Sequence, residues 1–163
     1  MSTDTARKPT CVRIDHTARG SSVQGQALTP IVHSGTAPGT RLSSYIVAMP
    51  PGHLSLAHVH RHSDVLVQIL RGWAATLWGE EMEPIPHGAG DQVVIPAGIP
   101  HAALNLSRNA IVVALEVRTD PHANRDVELL PDLDPVAAAQ VQTLQAEHLD
   151  RVKQAVAQGR MSW

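Results

Sequence analysis

From residue 41 to residue 117 the chain alternates apolar and polar positions in short runs, each soon closed by glycine, proline or asparagine. Runs of this length with partial period two read as strands, because side chains at i and i+2 share one face of an extended backbone. The pattern predicts strands over 41–49, 53–60, 65–70, 73–78, 82–86, 92–95, 99–106 and 110–117. Upstream, 28–33 forms a short β-like run and 11–15 alternates weakly enough to make a first strand. Pro50-Pro51-Gly52, Gly79, Gly88-Ala89-Gly90-Asp91 and Pro96-Ala97-Gly98 punctuate the series as turns. Many short strands with regular turns predict an all-β sandwich or barrel rather than βαβ units.

The pattern changes after Thr119. Residues 120–134 are polar and interrupted by proline, which predicts an extended crossing segment. Asp134-Pro135 then offers a capping acceptor followed by proline at the first helical position. Val141, Leu144, His148, Val152 and Val156 recur three and four residues apart, one face of a helix over 136–158 that Gly159 ends. Such a stripe predicts packing on the barrel or on a partner subunit. The organisation expected is a polar leader over 1–10, a barrel over 11–118, and the crossing segment with its helix over 119–163.

Composition narrows the class. The chain of 163 residues suits one domain with a real core, and 43% hydrophobic against 17% charged content is not that of a disordered segment. Aromatics are 2% with no Phe, so the core must be aliphatic, with Tyr45, Trp73 and Trp78 as unusually large pieces in it. A net charge of −2 without a basic run argues against a nucleic-acid partner. No apolar run reaches the roughly 20 residues of a membrane span, and Met1 to Pro9 lack the apolar middle of a secretory signal. The lone Cys11 excludes an internal disulfide framework. These features predict a cytoplasmic protein without membrane contact.

Ten histidines are many for this length. His58 and His60 flank a single residue, so in a strand both rings share a face and can share one metal ion. Taken alone, that spacing more often marks alternate histidines on an exposed strand face. His62 has the same parity if the strand continues, and faces solvent if the chain bends there. His53 has the opposite parity. His87, between Pro86 and Gly88, reads as an exposed loop histidine at a barrel rim. Gln68 falls on the face opposite the pocket, and the Asn105 amide reads as a partner for turn backbone.

Larger motifs decide between these alternatives. Gly52-x5-His58-x-His60, Gly72, and Gly90-x5-Pro96-x-Gly98-x2-His101-x3-Asn105 resemble the two signature motifs of the cupin superfamily. The second is complete; the first lacks the family's glutamate. Counting back from Gly72 across six intervening residues reaches Val65, which cannot bind a metal. Counting forward from His60 across three intervening residues reaches Asp64, a sound ligand of the wrong strand parity unless the chain bends. The resemblance implies an all-β, double-stranded β-helix (jelly-roll) barrel, here with a C-terminal α-helix. It also implies a divalent metal ion (iron, manganese, zinc or nickel) held by His58, His60 and His101, with the Pro96-x-Gly98 turn returning His101 beside the first two. The fourth position falls either to Asp64 or to water and substrate, as in three-histidine cupins, several of which are dioxygenases.

A fold of such breadth does not confer a reaction. The resemblance is compatible with a metal-dependent enzyme on a small organic molecule, of dioxygenase, isomerase or lyase type, whose catalytic residues the motifs do not name. It is also compatible with a non-catalytic binding or sensing protein with structural or no metal. No paired acid and base stand in the motifs, which disfavours hydrolase chemistry. The single motif pair implies a homodimeric monocupin with a small-molecule partner.

Overall fold

The computed structural model describes residues 9–122 and 125–159. The leader expected over 1–10 therefore lies outside the described residues except for Pro9 and Thr10. Eleven strands form among the described residues: β1 (Gly20–Ser21), β2 (Ala27–Val32), β3 (Ser43–Met49), β4 (His58–His60), β5 (Val65–Arg71), β6 (Trp73–Trp78), β7 (Glu83–Gly88), β8 (Gln92–Ile95), β9 (His101–Asn105), β10 (Val112–Arg118) and β11 (Val127–Leu129). Helix α1 (Asp134–Ala157) follows. The strands make two antiparallel sheets, β1-β2-β3-β10-β5-β8 and β11-β4-β9-β6-β7. Consecutive strands repeatedly switch sheets, which gives the double-stranded jelly roll expected from the motifs.

Two interiors result. Between the sheets, alternate residues of β3 and β10 (Tyr45, Val47 and Met49; Val112 and Ala114) pack with Ile69 and Ala74. Outside the five-stranded sheet, Ala75, Leu77, Ala102 and Leu104 pack beneath Ala137 and Leu144 of α1. Strands β6 and β9 are thus buried on both faces, which is why their sequences are nearly continuous apolar runs rather than clean alternations.

Three local expectations are corrected. Residues 11–15 form no strand; Asp15 instead accepts a bond from Thr17 N (2.9 Å) and caps a 3-10 turn over His16–Ala18. A short acidic side chain that bonds nearby backbone competes with sheet pairing. The strand expected over 53–60 is reduced to β4, with Leu54 making a lone bridge to Leu104. Trp78 is exposed (39%) at the end of β6, whereas Tyr45 is buried (3%).

The C-terminal region also differs in detail. Asp134 does not cap its own helix: its carboxylate accepts from Ala57 N at 2.7 Å and pins α1 to the chain just before β4. Ala137, Leu144 and Gln145 are buried, but Leu149, Val152 and Val156 at the far end of the helix are exposed. Within the crossing segment lies β11, which pairs Val127 with His60 and Leu129 with His58. No helix among the described residues is long and apolar enough to cross a membrane.

Motif residues hold the turns. Gly72 has φ +91°, and a Cβ there would lie 3.0 Å from Ile111 O, so both backbone and space require glycine. Asn105 is fully buried; its Nδ2 donates to Met49 O (3.1 Å), Pro50 O (2.8 Å) and Ala110 O (2.8 Å), and its Oδ1 accepts from Ser107 N (2.9 Å). One amide thereby ties three chain segments together. Asn105→Ala leaves those groups buried without partners and should cost about 3 kcal/mol. Asn105→Asp, which sets a carboxylate against carbonyl oxygens, should cost more, both read from urea unfolding.

Candidate metal centre

The first motif supplies β4 and the second supplies β9, and their register decides the site. His58 stands opposite His101 in the antiparallel pair. The Pro96-x-Gly98 turn is tied to the same strand, because Gly98 N donates to His60 O at 2.7 Å. Gly98 has φ +81°, which lets its N–H turn toward β4. His58 and His60 share a face by their spacing, so three imidazoles converge. One ring nitrogen from each of His58, His60 and His101 lies within 4.8 Å of the others, and all three residues are buried. Ring centroids are 4.3 Å apart for His58 and His101, 5.3 Å for His58 and His60, and 5.4 Å for His60 and His101.

Backbone carbonyls orient two of the rings. His58 Nδ1 lies 2.8 Å from Leu56 O, and His101 Nδ1 lies 2.9 Å from Ile99 O. With Nδ1–H donating, each Nε2 keeps its lone pair for a ligand, the usual way a metal-binding histidine is held. His60 Nδ1 is buried with no hydrogen-bond partner. Three neutral nitrogen donors suit zinc, iron, nickel or copper, so the residues fit a divalent ion.

No carboxylate among the described residues joins this donor set. Asp64 lies in the bend between β4 and β5, exposed, with Oδ1 accepting from Ala97 N at 2.9 Å. Val65 is buried (2%) and lines the cavity at the position where the family motif carries glutamate. His62 is exposed in the same bend, its N–H donating to Asp126 at 3.0 Å. Gln68 stays off the cavity wall, while Val67 and Ile69 line it.

A cavity of about 40 Å³ adjoins the triad between the sheets. Its wall carries residues the sequence reading misplaced or overlooked. His87 is not an exposed loop residue: β7 continues through it to Gly88, and the ring is 4% exposed with Nε2 3.0 Å from Thr76 Oγ1. Pairing with Ala74 in the antiparallel ladder extended the strand past both prolines and carried His87 inward. Glu116 also lines the cavity, and Arg118 Nε donates to its Oε1. Both sit on the inward face of β10, and the Arg118 guanidinium lies 5.1 Å from the centroid of the Tyr45 ring. A signal for them existed: Glu116-x-Arg118 is an i, i+2 charged pair ending an apolar run, on the same face as Val112 and Ala114.

Burial sets the charge state of the histidines. Desolvation, reinforced by His101 and Arg118, holds His58 down at about 3. Desolvation followed by Arg118 holds His60 at about 2, and desolvation lowers His101 as well. Burial takes His87 to about 4. All four imidazoles are neutral near pH 7, the form in which they can bind metal. The unfolded chain takes up protons near pH 6.5 and the folded one does not, so stability of the metal-free protein is full above that value and falls below it. Urea midpoints should drop progressively from pH 6.5 toward pH 4, with a slope near 1.4 kcal/mol per pH unit for each unprotonated imidazole. His87→Gln should reduce that slope by one group.

Comparison with known proteins bears on the fold. Residues 45–118 match the family described as Cupin domain. No curated protein sequence matches the chain. Among solved structures, the cupin domain of Schizosaccharomyces pombe Cnp3 superposes with a TM-score of 0.50 at 13% identity, over 57% of this chain and 59% of that one. An uncharacterised conserved Klebsiella pneumoniae protein with a double-stranded β-helix domain gives 0.56 at 19% identity, over 75% and 97%. Oxalate decarboxylase from Lactobacillus farciminis, in a formate complex, gives 0.57 at 22% identity, over 69% and 33%. The chain thus spans less than two thirds of the first and third of these. At such identities the likeness is one of fold, and the domain match identifies residues 45–118 as a cupin domain.

Proposed function

We propose that this cupin acts on a small organic molecule through a divalent metal ion held by His58, His60 and His101. The observation that carries the reading is the convergence of three buried, neutral imidazoles, two with their Nδ1 anchored to backbone and one with a buried nitrogen lacking a partner. When bound, the ion supplies a Lewis acid or a redox centre with coordination positions left open by the absence of a protein carboxylate. The chain's own contribution is to hold the rings in place, to line the ligand space with Val47, Val65, Val67 and Ile69, and to limit water there. A space of about 40 Å³ admits only a few non-hydrogen atoms. The Lactobacillus farciminis neighbour acts on a small acid of that scale. Dioxygenase-type chemistry is the finer reading we attach to the three-histidine set.

One observation favours a second reading. Val65 in place of a carboxylate removes a negative ligand and weakens the hold on a hard cation. A binding or sensing protein with structural or no metal is the form this takes.

Metal analysis separates the two. Wild-type protein purified without added metal should carry close to one ion per chain, and iron or manganese would point to oxygen chemistry. His58→Ala, His60→Ala and His101→Ala should each lose most of it, because each removes one of three donors. Asp64→Asn should retain it, since that carboxylate is occupied with Ala97 N–H at the rim. Full occupancy in the His101 variant would overturn the centre.

The unit of action in this reading is a homodimer. The exposed Leu149, Val152 and Val156 give α1 an apolar surface to bury against a second copy. Light scattering at tens of micromolar should report twice the chain mass, and Val152→Glu combined with Val156→Glu should lower it.

A further inference from the structure

The cavity holds one charged acceptor, and the metal reading does not use it. Glu116 is 7% exposed and lines the same space as His58 and His101. It lies outside the set of ring nitrogens that approach within 4.8 Å, so it is not a fourth ligand as placed. Arg118, 1% exposed, donates to Oε1 and fixes the carboxylate from behind. Oε2 takes no hydrogen bond from any described residue. Both side chains come from the inward face of β10, whose register against β3 and β5 leaves them little freedom.

We propose that Glu116 is a specificity-determining residue that accepts a hydrogen bond from the ligand at the histidine centre. This rests on the metal reading above. The ligand must offer a donor beside the group that meets the ion. A hydroxyl fits better than an ammonium, because Arg118 already balances the Glu116 charge and a divalent ion leaves this end of the barrel positive. The same excess of positive charge favours an anionic oxygen as the group that meets the ion. A space of about 40 Å³ keeps the molecule short. The ligand class is therefore a short α-hydroxy acid: its carboxylate toward the histidine centre, its hydroxyl donating to Glu116.

Acetate and glycolate differ by that hydroxyl and serve as probes. Each is titrated into Co2+-loaded protein, with binding read from the visible bands of the protein-bound ion and metal content measured separately. Wild-type protein should bind glycolate about tenfold more tightly than acetate. Glu116→Gln should shrink that ratio without changing Co2+ content. It leaves Arg118 buried without its anion and can fail to fold. The double variant Glu116→Leu with Arg118→Met removes both charges, and its thermal melt reports whether the barrel survives. In the double variant the ratio should fall to within about twofold.

Equal binding of the two acids by wild type would overturn the proposal. So would an unchanged ratio in the folded double variant, or loss of Co2+ in either folded variant. Failure of the wild type to take up Co2+ at all would instead overturn the metal reading, and this inference with it.

Discussion

The antiparallel pairing of β4 with β9 is the constraint on which the site depends. It sets His58 opposite His101, and the bond from Gly98 N to His60 O fixes the incoming turn against the same short strand. A slip of one residue would turn His58 and His60 away from the cavity together. Strand β4 is only three residues long and could not hold register by itself. Pairing with β11 on its other side, through Val127 and Leu129, prevents the histidine strand from being a sheet edge. The anchor from Asp134 to Ala57 N fixes the chain just before it.

Charge inside the barrel follows from desolvation. Four imidazoles stay neutral because burial disfavours their protonated forms, and Arg118 adds to that at His58, His60 and His101. Glu116 faces Arg118 and the Tyr45 ring lies beside its guanidinium, which helps to make a buried charge tolerable there. The interior thus joins a neutral nitrogen cluster to a buried ion pair across a small apolar space. Such an arrangement selects for ligands by charge and hydrogen bonding more than by shape.

Helix α1 accounts for the second core. By covering the outer face of β9 and β6, it lets Ala75, Leu77, Ala102 and Leu104 be apolar as well as their inward neighbours. The site strands are then buried on both sides, which gives the histidines a rigid support. Asn105 completes that support where β9 ends, by holding together the turns before β4 and before β10.

The sequence by itself determined what is local. Strands β6 and β8 were legible to the residue because glycine and proline bound them. The turn glycines, the turn-binding role of Asn105, the helix and the shared face of His58 and His60 were equally plain, since spacing of two or of three and four fixes direction within one element. The convergence of His101 with that pair was legible only through the motif resemblance. Tertiary structure alone decided the rest. Residues 11–15 lost a strand to an Asp15 side-chain bond, and 127–129 gained one because β4 needed a partner. His87 came inward because ladder pairing with β6 outweighed two prolines. Val65 rather than Asp64 met the cavity because the bend sent the carboxylate to Ala97 N–H. Glu116 became part of the site because β10 is held between β3 and β5, which turns its inward face to the cavity that His58 and His101 also line. Period within a strand gives which residues share a face; only the packing of sheets decides what that face looks upon.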